Sequence, residues 1–335
     1  MSNVRILNPL GAALLHYTRE ISYVLGELGC EVEVENVIEP SAHGNRFGRR
    51  IVWALSYLRE VRRTSRSDDI LICLWPPFGY WDTLLLGLSR ASRTVLIVHD
   101  PEPLSGEVGY GVIARFIART VGRRVELIVH GSRALDVVCE KHSLPRAVVV
   151  SHPMLEPKRR SRAGTEADAQ HQKVVRVVGQ FKAERNLDAL EEVAACGDPD
   201  WRREVIGRGW PDVNGWQVRS EFVTESEFES LIAGADVVLV PYKRFFQSGV
   251  AVRALELLTP VVGPRVESMA ELLGGDCTWL ATEGTWASSV GDALECAEPE
   301  IYERSVDAYV SAVGSWKLWL VGSDKVSSQA RWPDQ

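Results

Sequence analysis

Two cations three residues apart, Lys182 and Arg185, follow a short apolar run and precede a helical stretch. At a loop rim they would neutralise a diphosphate and stabilise it as a leaving group. Solvated loop cations are common, and taken alone these two read that way. Farther on, Gln247, Ser248 and Gly249 open a helical segment, Val250 to Leu258, just after the apolar run Val237–Val240 and Pro241. A helix that starts on Ser-Gly leaves backbone N–H groups, a small hydroxyl and no Cβ in the way, which is the make-up of an anion site. Helix capping uses the same N–H groups, so the residues alone do not separate a cap from a phosphate cradle. The cations and the Ser-Gly helix start together favour a phosphate-bearing ligand.

These residues need a scaffold, and the hydrophobic pattern supplies one. Val4–Leu7, Glu31–Glu35, Asp69–Leu74, Thr94–Val98, Glu126–Val129 and Ala147–Val150 read as strands, with helical stretches over Ala12–Leu28 and Arg46–Arg66. Strand–helix alternation of this kind predicts a doubly wound parallel sheet. Between Glu156 and Gln172 the apolar period stops, which predicts a linker or mobile loop. A second series follows: Val174–Val178, Leu187–Ala195, Arg203–Ile206, Val218–Val223, Glu225–Ile232, the Val237–Gly263 segment and Trp286–Cys296. The expectation is α/β: two doubly wound, Rossmann-like domains facing across a cleft. Residues 1–155 form the first, 156–172 the linker and 173–300 the second. A helix over 301–321 returns to the first domain, and 322–335 is a polar tail.

The chain has 335 residues, 45% apolar and 25% charged, which is globular composition with material for two cores. Its net charge of −7 argues against general nucleic-acid binding. No apolar run is long enough to span a bilayer, and the first residues lack the order of a signal peptide, so a cytoplasmic location is expected. The six cysteines include no Cys-x-x-Cys pair and the seven histidines no His-x-x-x-His pair, so no metal site is expected. Arg46, Arg49, Arg50, Arg59, Arg62, Arg63 and Arg66 crowd one helical region whose single acid is Glu60. That helix reads either as a solvated basic face or as a peripheral contact with the inner face of an anionic membrane.

The motifs VVGQFKAERNLDALEE (177–192), VIGRG (205–209), EFVTESEFESLIAGADVVLVPYKRFFQSGV (221–250) and TPVVGPRVESMAELLG (259–274) resemble, in order and separation, the nucleotide-sugar domain of GT-B glycosyltransferases of the retaining family 4. LNPLGAALLHYTREIS, LWPPFGYWD and VLIVHDPEP sit where that family carries its N-terminal loops. The resemblance implies transfer of a sugar from a nucleotide diphosphate sugar, with UDP or GDP as carrier, to a glycan, lipid-linked or small-molecule acceptor. It implies retention, and neither metal nor other cofactor.

Carried onto this chain, the resemblance implies that Gln180, Lys182, Arg185, Ser248, Gly249 and Val250 hold the donor diphosphate. Gly11 allows a close backbone approach to it, against the plainer reading of a turn. Gly207, Tyr242 and Glu256 would serve the nucleotide and its ribose. His99, at the end of TVLIV, would approach the transferred sugar, against the reading of a structural histidine. His99, Lys182 and Arg185 are thus the catalytic candidates. His16, Tyr17, Trp75 and Asp100 would line the acceptor side, although core packing is the commoner fate of an aromatic loop. His130 reads as structural. The chain departs from the family's paired glutamates: Phe245 and Phe246 stand near the first position, and Ala254 at the second, with Glu256 two residues later. The alternatives are a sugar-nucleotide 2-epimerase of the same architecture and a non-catalytic nucleotide-sugar-binding partner.

Overall fold

The structure is a computed structural model that describes residues 2–37, 46–63, 69–102, 109–120, 122–144, 146–158, 172–244 and 246–322. Most of the expected linker (159–171), Arg66, Phe245, the side chains of Arg46, Arg49 and Arg50, and the tail from 323 lie outside the described residues. The chain divides into two compact units. Unit 1 comprises Met1–His130, Ala134–Pro153 and Val310–Gln335, and unit 2 comprises Gly131–Arg133 and Met154–Tyr309.

Unit 1 is built on six parallel strands: β1 (Asn3–Asn8), β2 (Glu31–Asn36), β3 (Ile70–Cys73), β4 (Arg93–Ile97), β5 (Val125–Val129) and β6 (Ala147–Val149), in the order β2-β1-β3-β4-β5-β6. The inner strands are nearly unbroken apolar runs because helices cover both faces. At the edge, β2 (EVEVEN) alternates and stays largely exposed, its glutamates blunting an otherwise unpaired edge. The helices are α1 (Leu15–Glu27), α2 (Arg46–Arg63), α3 (Asp82–Leu86), α4 (Val112–Thr120) and, from Ala134 on, the short α5 (Ser132–Asp136). The expected helix from Ala12 begins instead as a 3-10 turn over Gly11–Leu14, with Gly11 at φ +52°, where a side chain would be strained. The core joins Val4, Ile6, Ile72, Val95, Ile97 and Ile128 to Ile21, Val24 and Leu25 of α1 and to Trp316 and Trp319.

One buried acid in this unit is set apart from the rest. Asp82 is fully buried at the start of α3, where its Oδ2 accepts from the Phe78 amide at 2.7 Å. Burial pushes its pKa up to about 8, offset in part by the Phe78 amide and the Tyr57 hydroxyl. A pKa raised in the folded state means that the folded chain keeps a proton the unfolded chain has lost. The stability contribution is whole below the unfolded value of 3.8 and is lost as pH rises through about 8. Asp82→Asn mimics the neutral acid. It should match the parent near pH 4 and exceed it by on the order of a few kcal/mol at pH 9. Urea midpoints measured across that range test this, and parallel pH profiles for the two proteins would refute it.

Unit 2 also has six parallel strands: β7 (Val174–Val178), β8 (Arg202–Ile206), β9 (Gln217–Arg219), β10 (Val237–Leu239), β11 (Val261–Pro264) and β12 (Leu280–Ala281), ordered β12-β11-β10-β7-β8-β9. Counted from its own first strand, that is the 3-2-1-4-5-6 order of dinucleotide-binding folds. Its helices are α6 (Leu187–Cys196), α7 (Glu225–Ala233), α8 (Gly249–Glu256), α9 (Glu267–Leu273), α10 (Trp286–Leu294) and the first half of α11 (Glu298–Val321). The strand expected over Val218–Val223 is shorter, because β9 is an edge strand that pairs with β8 only as far as Arg219. The second half of α11, from Val310, belongs to unit 1, where Trp316 Nε1 donates to the Ser151 carbonyl at 3.1 Å.

Candidate functional site

The strand order of unit 2 fixes where a ligand would sit. β7 and β10 are neighbours, with Val237 opposite Val175, yet the chain leaves β7 toward β8 on one side and β10 toward β11 on the other. Loops that depart in opposite directions leave a crevice at the strands' carboxyl ends. The loop after β7 carries Gln180, Lys182 and Arg185; the loop after β10 carries Tyr242 and Ser248. Backbone bonds tie the two loops together: Asn186 N–H donates to Pro241 O and Lys243 N–H to Glu184 O, both at 2.8 Å, and Arg185 bridges Tyr242.

Arg185 is the centre of this arrangement. Its guanidinium lies 4.2 Å from the Tyr242 ring centroid and 5.4 Å from that of Trp210. Only 4% of the residue is exposed, and burial holds its pKa below the usual arginine value. Nη2 reaches the carbonyls of Val178 and Gln180 only at 3.4 and 3.5 Å, and the buried Nε has no hydrogen-bond partner. No carboxylate among the described residues pairs with it. A buried guanidinium remains charged, and leaving it without a counter-charge is costly. The aromatic faces below and beside it compensate in part.

Around it, two glycines let backbones approach closely. Gly179 (φ +110°) and Gly207 (φ +151°) directly follow β7 and β8, and a Cβ on Gly207 would lie 2.2 Å from the Gly179 carbonyl oxygen. Trp210 Nε1 donates to that same carbonyl at 2.7 Å. Gln180 and Lys182 are exposed at the rim. Ser248 caps α8, its Oγ accepting from Ala251 N–H at 3.3 Å, while its own backbone is extended. Gly249 and half-buried Val250 form the open first turn, and a Cβ on Gly249 would meet nothing within 4 Å. Glu256 lies at the other end of α8, about 10 Å of helix rise away. Its Oε1 accepts from the Leu155 amide at 2.6 Å.

Unit 1 has its own rim of strand ends, and there the topology lines up histidines. His99, His130 and His152 follow β4, β5 and β6, neighbouring parallel strands. Their ring centroids are therefore about one strand spacing apart, 5.4 Å and 5.2 Å. The protons can be assigned from partners. His130 Nδ1 donates to Val150 O at 2.7 Å, so its Nε2 accepts from the Tyr17 hydroxyl at 2.6 Å. Burial, followed by the neighbouring histidines, holds His130 well below the usual imidazole range, and burial brings His152 down to about 3. Both rings are neutral at physiological pH.

His99 Nε2 donates to Leu74 O at 2.8 Å, and its ring is stacked on Trp75 (5.1 Å, 23°) and met edge-on by Tyr17 at 4.6 Å. Tyr17 is thus buried and committed to His130. His16 pairs instead with buried Glu20, Nε2 to Oε1 at 3.0 Å. Asp100 closes a local turn by accepting from the Glu102 amide at 3.0 Å. Gly11 is held by Asn8, whose side chain donates to Gly11 O at 2.9 Å and to Thr18 at 3.2 Å. His130, read from the sequence as structural, joins this network, and so do His152 and Glu20, which no sequence motif marks. For His152 the available signal is position: it follows the apolar strand β6, as His99 follows β4 and His130 follows β5.

No protein-family profile matches the chain, and no curated protein matches its sequence. Solved structures do match in shape. An Anabaena protein, HepE, in complex with UDP and glucose, is 12% identical and matches with a TM-score of 0.58, over 97% of this chain and 98% of its own. A UDP-forming α,α-trehalose-phosphate synthase from Burkholderia vietnamiensis is 12% identical, with a TM-score of 0.63 over 96% and 99%. WaaG, a glycosyltransferase involved in lipopolysaccharide biosynthesis, is 13% identical, with a TM-score of 0.55 over 96% and 100%. At these identities the likeness shows the fold, the paired Rossmann-like GT-B architecture.

Proposed function

We propose that this protein is a glycosyltransferase that moves a sugar from a nucleotide diphosphate sugar to an acceptor. The observation that carries the reading is Arg185. A buried cation without a counter-charge, at the switch point of a dinucleotide-type sheet and in the same unit as an open helix N-terminus, calls for an anionic ligand. The fold supports the sugar-nucleotide class, since structures of similar shape include one holding UDP and glucose. No observation favours the epimerase or the non-catalytic alternative.

In this reading unit 2 holds the donor, and unit 1, with its aromatic and histidine rim, serves the acceptor. The bond from the anomeric carbon to the diphosphate oxygen breaks while a bond to the acceptor oxygen forms. Arg185, Lys182 and the Gly249 and Val250 amides stabilise the charge that gathers on the leaving diphosphate. The acceptor proton passes to a phosphate oxygen of the leaving group, which delivers the sugar with retention and needs no metal. Tyr242, beneath Arg185, fixes the plane of the guanidinium. Positioning and charge stabilisation account for the catalysis.

The test is a thermal-shift screen against UDP, GDP, ADP and TDP. One of them is expected to stabilise selectively, by about 2.7 kcal/mol at a hundredfold excess over its Kd. No stabilisation by any of the four would overturn the reading.

A further inference from the structure

The end of the unit 1 sheet opposite the histidine rim carries an arrangement of its own. His99 follows β4 at its carboxyl end, whereas Ser92 and Thr94 stand at its amino end. Thr94 and His99 are thus separated by about 16 Å of strand rise. Beside the amino end opens a cavity of about 560 Å³ whose lining includes Ser89, Arg90, Ser92, Thr94 and Arg124. The lining holds two arginines and three hydroxyl residues and no acid.

The segments that supply these residues are held by their own packing. Between Ser89 and Ser92 the chain turns on hydrogen bonds. Ala91 N–H donates to Ser89 Oγ at 3.0 Å, and the Ser92 amide and hydroxyl both donate to Asp69 O, at 3.0 and 2.9 Å. The 3-10 turn Gly122–Arg124 packs on α3 so closely that a Cβ on Gly122 would lie 2.6 Å from Thr83 Oγ1. A site whose backbone is fixed in advance loses little freedom when it binds.

The polar groups of the cavity are short of partners. The neighbouring Arg93 is committed to Glu126, through Nε at 2.8 Å and Nη2 at 3.0 Å. Neither Arg90 nor Arg124 pairs with a carboxylate among the described residues. Thr94 is only 6% exposed, and its hydroxyl makes no hydrogen bond among them. Buried hydroxyls are normally satisfied, so the partner of this one must come from the cavity. Two guanidinium forks with hydroxyl neighbours match the oxygens of a phosphate group. The volume exceeds that of bare phosphate and falls within the range of small-molecule sites.

We propose that this cavity binds a small phosphate ester from solution. The Arg90 and Arg124 guanidinium groups take the phosphate oxygens, and Thr94 donates its hydroxyl to one of them. The site lies away from the histidine rim, so it is a second site of unit 1. The inference does not depend on the sugar-transfer reading.

Isothermal titration calorimetry of the full chain tests it. The probes are glycerol 3-phosphate and inorganic phosphate, with potassium chloride at matched ionic strength as the blank. Saturable binding of glycerol 3-phosphate is expected, with inorganic phosphate competing for it. Arg90→Gln and Arg124→Gln should each weaken binding by roughly tenfold or more. Both residues are exposed, so unchanged melting temperatures will show that the variants fold. Thr94→Val keeps the shape and removes the unpaired hydroxyl. It should melt at or above the parent temperature and bind roughly threefold or more weakly. The Lys182→Ala, Arg185→Met protein, which lacks the other proposed anion site, should bind as the parent does. Binding lost in that protein but kept in the Arg90 and Arg124 variants overturns the proposal. So does a Thr94→Val protein that melts below the parent with unchanged affinity, since the hydroxyl would then be structural. Heat from neither soluble probe also overturns it, even where anionic vesicles bind the protein.

Discussion

Replacing Lys182 and Arg185 together by alanine is expected to abolish stabilisation by whichever nucleoside diphosphate the protein binds. Charge-assisted hydrogen bonds are worth about 1.5–3 kcal/mol each, so losing both cations weakens binding by roughly 10²–10⁴. The two residues differ in how they should fail. Lys182 is exposed, so Lys182→Ala leaves the unliganded melting temperature unchanged while weakening the ligand-induced shift. Arg185 is buried between aromatic rings, so Arg185→Ala also leaves a cavity, and its effect must be read from the shift and not from the melting temperature itself.

A third variant separates a binding arginine from a packing one. Arg185→Met fills the same volume without charge. Replacing an uncompensated buried ion by an apolar side chain is commonly neutral or stabilising. Arg185→Met is therefore expected to melt at or above the parent temperature without ligand and to lose the nucleotide response. A structural arginine predicts the reverse, a lower melting temperature with the response kept. An unchanged response in the Lys182/Arg185 double variant would mean that the diphosphate docks elsewhere.

What was legible in the sequence was the scaffold more than the contacts. Apolar runs such as Val174–Val178 and Val237–Val240 declare buried parallel strands because both their faces must be covered. Alternation of strand and helix then fixes the architecture. The loop cations and the Ser-Gly helix start could be read because their chemistry is local. Pairing was not legible. That Arg185 would be buried on Tyr242 depends on two loops more than fifty residues apart meeting at a switch point, and the strand order that joins them is written in no local pattern. The histidine row of unit 1 depends on register in the same way. His130 reads from the sequence only as a structural residue after a strand; its partners emerge once β4, β5 and β6 align, and Tyr17 and Val150 then set its tautomer. Asp82 reads as an ordinary helix-start acid, and only its burial reveals a carboxyl that holds its proton.

Two glycines of unit 2 should respond oppositely to the same change. Gly207→Ala places a Cβ 2.2 Å from the Gly179 carbonyl oxygen, in a backbone conformation that side chains rarely adopt. The contact is with backbone, so no side chain can swing away, and the loops after β7 and β8 must part. The strain alone costs about 1–3 kcal/mol, and the overlap adds to it. At roughly 2–4 °C per kcal/mol, a fall in melting temperature of about 10 °C is expected. Gly179 also abuts Arg185, whose Nη2 lies 3.2 Å from where a Gly179 Cβ would be, so the displacement carries the guanidinium with it and nucleotide binding falls too. Gly249→Ala meets open space at an unstrained φ on the first turn of α8. There alanine should stabilise the unliganded protein by about 0.4–1 kcal/mol. If the turn is only a cap, the nucleotide shift stays as it was. If a phosphate rests on the Gly249 and Val250 amides, the added methyl group stands where the phosphate must approach, and the shift shrinks while the unliganded protein becomes more stable. Melting curves of both variants with and without nucleotide decide the matter. A Gly207→Ala protein that melts like the parent would show that these loops do not touch, and an intact nucleotide shift in Gly249→Ala would remove the α8 amides from the site.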